Sequence, residues 1–150
     1  MRRLGLRPAA LILIVMLTVV LCLARLVGGT WADDDQPYPP LNRSLVIEQV
    51  PNELVYYSIG NPGIPVHDNE GNTSNAGFVV TTDGVVVFDA LGTPSLGWNL
   101  LQAIRKVTDL PVRYNVISHY HADHIYGLQA FKDHTSSIVV AQDRATEYRE

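Results

Sequence analysis

Ser118-His119-Tyr120-His121-Ala122-Asp123-His124 gathers three of the chain's five histidines and one carboxylate just after a β-rich run. Side chains two apart on extended backbone point to the same side. His119 and His121 can therefore reach one metal ion together. Asp123 and His124 lie beyond, where the chain turns toward a helix, and can address a second ion close by. Imidazole and carboxylate ligands suit zinc, at roughly 2.0–2.2 Å. The competing reading is a polar loop without chemistry, which gives no reason for imidazoles at this density.

The segments on either side supply a scaffold. Val112 to Ser118 reads as the strand that delivers the chain to His119, and open α/β sheets place ligand sites at the carboxyl ends of such strands. Upstream, Ala76 to Thr81 and Val85 to Asp89 are strands joined by Thr82-Asp83-Gly84, whose Asp-Gly pair marks a tight hairpin. The continuous apolar run Val85-Val86-Val87-Phe88 predicts a strand covered on both faces. A helix should start at Pro94 with Thr93 as its cap. Its buried stripe would be Leu96, Leu100, Ile104 and Val107. Farther upstream, Leu45 to Val50 and Glu53 to Ile59 are short strands around Pro51-Asn52, and Gly60 to Asn72 is a loop. Downstream, Ile125 to Phe131 predicts a short helix, Ile138 to Ala141 another buried strand, and Asp143 onward a helix. Strands followed by alternating helix and strand indicate a layered α/β domain.

This pattern resembles the metal-binding motif of the metallo-β-lactamase superfamily. The likeness extends upstream through Asn75-Ala76-Gly77-Phe78-Val79-Val80 and Val85 to Asp89, and covers roughly residues 44–150. Within that family the chain looks most like exported zinc hydrolases of the kind found near quinoprotein systems. The resemblance implies the first half of an αββα sandwich, with His119 and His121 on a first zinc and Asp123 and His124 on a second. It also implies that Asp89 supports the metal loop through hydrogen bonds. Relatives that reduce oxygen at a di-iron centre carry glutamate in place of His121, so hydrolysis is the implied chemistry. A metal-bound hydroxide would attack a small-molecule ester, thioester, lactone or amide, with Asp123 holding the nucleophile and accepting its proton.

The family normally draws further ligands from its second half: a histidine, a bridging carboxylate or cysteine, and another histidine. None can be assigned in this sequence, and Glu150 falls inside the last expected helix. The domain over 44–150 is therefore expected to be incomplete at its C-terminus, and the 150-residue chain by itself inactive. The alternative is a non-catalytic metal-binding fragment or module. Other candidates rank lower: His67 in the glycine-rich loop, His134 in a polar turn as solvated surface, and Tyr120 and Tyr126 flanking the motif as packing residues.

Before the domain, Arg2, Arg3 and Arg7 precede seventeen uncharged residues from Pro8 to Ala24. A helix of that length spans about 25 Å, against a hydrocarbon core of roughly 30 Å. Residues 1–32 therefore read as a signal peptide or a membrane anchor, with residues 8–27 as the apolar part. Either way the domain is expected outside the cytoplasm, periplasmic or tethered to the outer face of the cytoplasmic membrane. Residues 33–43 carry Asp33-Asp34-Asp35 and then Pro37, Pro39 and Pro40, an acidic, proline-rich linker. Beyond the leader, seven basic residues face fifteen acidic ones, a formal charge near −8. That charge counts against nucleic acid as a partner and against a nuclease reading. The only cysteine, Cys22, lies in the apolar run, so residues 44–150 offer neither a disulfide nor a thiolate ligand. A small-molecule substrate is the remaining partner, and the oligomeric state is not legible.

Overall fold

The structure is a computed structural model whose described residues are 36–146. The expected leader, residues 1–32, lies outside them. The chain divides after Pro37 into two units, Met1–Pro37 and Tyr38–Glu150, and the second carries the sheet and its helices.

Six strands form one sheet in sequence order: β1 (Glu48–Gln49), β2 (Val55–Ser58), β3 (Ala76–Thr81), β4 (Gly84–Phe88), β5 (Val112–Val116) and β6 (Ile138–Val140). Strands β1 to β4 pair antiparallel, while β4, β5 and β6 run parallel. Thr81 pairs with Gly84, so Thr82-Asp83 is a two-residue turn, and Gly84 enters β4 at a φ of 139° that a side chain would resist. The parallel strands need crossovers. Helix α1 (Pro94–Val107) makes the first, and the short helices α2 (Ala122–Ile125) and α3 (Leu128–His134) make the second.

Helix α1 begins as its sequence predicts. The Thr93 hydroxyl accepts from Leu96 N at 3.1 Å, and Pro94 occupies the first turn, where its missing N–H costs nothing. Leu96, Leu100 and Ile104 are buried, joined by Leu101 and Trp98. Val107 departs from the expected stripe and is 40% exposed, because it is the last residue of the helix. Together with Phe131 of α3, these side chains cover Phe78, Val85 and Val87 on one face of the sheet.

The opposite face carries no such layer among the described residues. Phe88 is 54% exposed, so the expectation that β4 is covered on both faces fails. Val85 and Val87, which point toward the helices, are fully shut away from solvent, whereas Val86 between them is half-buried. The buried character expected for Ile138 to Ala141 fails as well. Strand β6 is the sheet edge, paired with β5 alone, and all three of its residues are exposed. The helix expected at Ile125 to Phe131 is two short helices that meet at Gly127, and Asp143–Thr146 is a 3-10 turn. A further 3-10 turn, His67–Asn69, lies within the expected loop.

The proline-rich stretch behaves differently from a free linker once it reaches Tyr38. Tyr38 and Leu41 pack against the core, and the Tyr38 ring meets Trp98 and His134 edge-on at 6.4 and 6.0 Å. Its hydroxyl donates to Asp133 Oδ2 at 2.6 Å. Burial, helped by that bond, pushes the Tyr38 phenol up to about 12, and the same hydroxyl holds Asp133 below the usual carboxylate range. The contribution of Tyr38 is thus whole below its unfolded pKa, near 10, and is lost as pH rises through about 12. That of Asp133 is whole above the ordinary carboxylate pKa and is lost as pH falls through its lowered value. Glu70 fixes the next residues, accepting from Asn42 N, Asn42 Nδ2 and Arg43 N at 2.7–3.1 Å.

Candidate metal centre

Strands β4 and β5 run parallel and finish together, Phe88 opposite Val116. The residues that follow them are therefore neighbours. After β4 the backbone turns sharply: Asp89 and Leu91 have φ of 57° and 70°, left-handed values that non-glycine residues adopt at a cost of roughly 1–2 kcal/mol each. The turn is clamped onto the motif loop, with Ala90 N donating to His124 O and Gly127 N donating to Leu91 O, both at 2.9 Å.

That turn aims Asp89 into the loop. The residue is 6% exposed, and its carboxylate accepts three hydrogen bonds: Ser118 N to Oδ1 at 2.8 Å, and Ser118 Oγ and His124 Nδ1 to Oδ2, each at 2.7 Å. The network assigns the imidazole tautomers. An ionised carboxylate only accepts, so His124 carries its proton on Nδ1 and leaves a lone pair on Nε2. Ser118 spends its single proton on Asp89 and accepts from His119 Nδ1 at 2.9 Å, which leaves the His119 Nε2 lone pair outward as well. Asp89 thus prepares two imidazole nitrogens as donors, one directly and one through Ser118.

The four motif side chains come together as two pairs. His119 Nε2 lies 3.0 Å from His121 Nδ1. His124 Nε2 lies 3.8 Å from Asp123 Oδ2. The His119 ring joins the pairs, its centroid 4.6 Å from that of His121 and 4.1 Å from that of His124. Two ligands on one tetrahedral zinc, with bonds of about 2.0–2.1 Å, sit roughly 3.3 Å apart. The two observed separations bracket that value, so each pair could hold an ion of this size. Among the described residues, however, no three His, Cys, Asp or Glu side chains converge on one point.

Side chains distant in sequence position Asp123. Thr73 Oγ1 donates to Asp123 Oδ2 at 3.3 Å, and the Ser74 hydroxyl donates to the Asp123 carbonyl. Gly92 lets the backbone close in: a Cβ there would lie 2.6 Å from Gly71 O and 3.2 Å from Asp123 Cα.

Ser118, Thr73 and Ser74 were not legible as site residues. Ser118 adjoins the motif, but its role arises from the pairing of β4 with β5, and Thr73 and Ser74 are some fifty residues away with no spacing signal. The remaining candidates separate clearly. His67 stands in solvent beside Asp68. His134 is exposed, yet its ring packs at a tilt against Trp98 with centroids 4.6 Å apart, so it is an element of the Tyr38 cluster and not simply solvated. Tyr126 is 60% exposed and Tyr120 42%, with the Tyr120 ring edge-on to His121 at 4.9 Å. Neither is a core residue.

A parallel pair ending in an imidazole and carboxylate cluster, on a sheet with helices along one face, defines a layered α/β scaffold with a candidate metal centre at the carboxyl ends of its strands. The sequence model for the metallo-beta-lactamase superfamily matches residues 69–148, more than half of the chain, and the chain belongs to that superfamily. Among solved structures, the chain is similar to a metallo-beta-lactamase from Pontibacter korlensis, with a TM-score of 0.55 and 22% identity. That match covers 67% of this chain and 45% of the other. It is also similar to a metallo beta lactamase from Hirschia baltica, with a TM-score of 0.58 and 14% identity, covering 70% of this chain and 46% of the other. These likenesses show the fold. The chain spans a little under half the length of either relative. A search of curated proteins gives no match.

Proposed function

We propose that this chain carries the first half of a zinc-dependent hydrolase site acting on a small-molecule ester, thioester, lactone or amide. The supporting observation is the Asp89 network, which turns the Nε2 lone pairs of His119 and His124 outward beside His121 and Asp123. His119 and His121 would hold one ion, and Asp123 and His124 a second. Bound zinc would supply Lewis acidity and a water of pKa near 7. Asp123, whose Oδ2 accepts from Thr73, would orient an attacking water and take its proton. Buried Asp89 would fix the ring orientation in which Nδ1 faces the protein and Nε2 faces the metal.

A second reading is a metal-binding module without catalysis. It is favoured by the lack of any three-donor convergence among the described residues. Both readings require the motif to bind metal, and His121→Ala is expected to remove zinc that His134→Ala leaves in place. Elemental analysis of the two purified variants decides this, and equal zinc content in both would sink the assignment.

Export belongs to the same proposal, supported by the arginines before an apolar run and the acidic stretch after it. No helix among the described residues is long and apolar enough to cross a membrane, so anchoring would rest on the leader. A reporter active only in the periplasm, fused after Asn42, should give signal. Signal confined to a cytoplasmic reporter would overturn export.

A further inference from the structure

The Asp89 turn holds the motif from one side, and a second set of contacts holds it from the other. Helix α2 stops after a single turn. The donor that a continuing helix would offer the Asp123 carbonyl is Gly127 N, four residues on, and it goes to Leu91 O at 2.9 Å instead. The Ser74 hydroxyl, on a residue only 4% exposed, takes its place and donates to that carbonyl. Thr73 Oγ1 adds a longer bond, 3.3 Å, to Asp123 Oδ2. The N-cap residue of α2, His121, offers no substitute, since its side chain makes no cap bond.

Thr73 and Ser74 are in turn the foot of a loop. Residues 61–72 close on themselves through Asn61 N to Asn72 O at 2.8 Å, and just outside them Gly60 N donates to Asn75 Oδ1 at 3.0 Å. A Cβ at Gly60 would overlap the Ser74 carbonyl, so the two ends of the loop lie backbone against backbone. Inside the loop one side chain makes the frame. Asn69 Oδ1 accepts from Val66 N and Gly71 N at 2.9 and 3.0 Å, and its Nδ2 donates to Ile64 O at 2.9 Å. Gly71 O accepts from Thr73 N at 3.0 Å, which completes a chain of bonds from Asn69 to the Asp123 carboxylate. Among the described residues, His119 and His121 bond to Ser118 and to each other and not to this loop.

We propose that this loop and its foot are a positioning device for Asp123. Asn69 holds Gly71, Gly71 holds Thr73, and Thr73 with Ser74 holds Asp123, so the loop sets the Asp123–His124 ion and leaves the His119–His121 ion alone. This rests on the metal reading of the motif. The test follows Asp123 and His121 separately by NMR on the full chain, with zinc as the only added probe. In the metal-free protein the couplings of Asp123 should report one χ1 rotamer, which Thr73→Val mixes with others and Thr73→Ser retains. On zinc addition, the midpoint read at the Asp123 carboxyl carbon should rise about tenfold in Thr73→Val and in Ser74→Ala, while that read at the His121 ring moves less than about twofold. Asn69→Ala, at a side chain that bonds only within the loop, should raise the Asp123 midpoint about threefold. Equal movement of the two midpoints in Thr73→Val, or an Asp123 midpoint unmoved in Asn69→Ala, would overturn the device and leave the metal site standing. Averaged Asp123 rotamers in the metal-free wild type would overturn it as well. A single rotamer lost in Thr73→Val, with no response of Asp123 or His121 to zinc, would support the positioning and sink the metal reading alone.

Discussion

Asp89→Ala is expected to lower stability by about 3 kcal/mol and to weaken zinc binding by roughly 10- to 100-fold. Asp89 is buried, and its carboxylate satisfies Ser118 N, Ser118 Oγ and His124 Nδ1. Alanine leaves those donors without their acceptor in a site too closed for full hydration, and each stranded group costs about 1–3 kcal/mol. Asp89→Asn separates the structural loss from the chemical one. Its amide oxygen can still accept from Ser118 N, but its NH2 group faces His124 Nδ1 and favours the opposite tautomer, with the proton on Nε2. The asparagine variant should therefore keep more of its stability than the alanine variant while losing comparable zinc affinity. Denaturant unfolding together with zinc titration measures both. Full zinc affinity in Asp89→Asn would remove the tautomer argument.

Gly127→Ala should damage the fold by a comparable amount, about 2–3 kcal/mol. Backbone conformation is not the reason, since Gly127 has a φ of −67° that any residue accepts. The reason is contact: a Cβ there would overlap the Ala90 carbonyl and lie 3.1 Å from Gly97 Cα. Gly127 is where helix α1, the left-handed turn at Asp89 to Leu91 and the motif loop come together. An added methyl group must push the Asp89 turn away from His124 and lengthen the bonds Ala90 N to His124 O and Gly127 N to Leu91 O. The unfolding midpoint should fall, and zinc affinity with it. A variant with unchanged stability would show that the junction can open without cost.

What the sequence conveyed and what it withheld have physical causes. The Thr93-Pro94 start and the spacing of Leu96, Leu100 and Ile104 were legible because capping and helical period are local properties. So was the Asp-Gly hairpin between β3 and β4. The apolar runs at β4 and β6 were misleading about burial. Composition reports what a strand prefers to touch, while Phe88 and Ile138 are exposed because no described element covers their side of the sheet. The histidine and aspartate cluster could be recognised from its spacing. The orientation of its rings could not, because it is set by Asp89 and Ser118, brought together across 29 residues by parallel pairing. Thr73 and Ser74 reach Asp123 from about fifty residues away through the loop before β3, and no periodicity encodes such a contact.

Residues 119–124 are proposed as the zinc site, with Asp89 setting its imidazole tautomers. Nitrogen-detected NMR of the five histidine rings tests this assignment most directly, recorded before and during zinc addition. His119 and His124 should begin with protons on Nδ1, and the ring signals of His119, His121 and His124 should shift together at low zinc while those of His67 and His134 stay in place. Protons on Nε2 of His119 and His124 in the metal-free protein, or first shifts at His67 or His134, would contradict it.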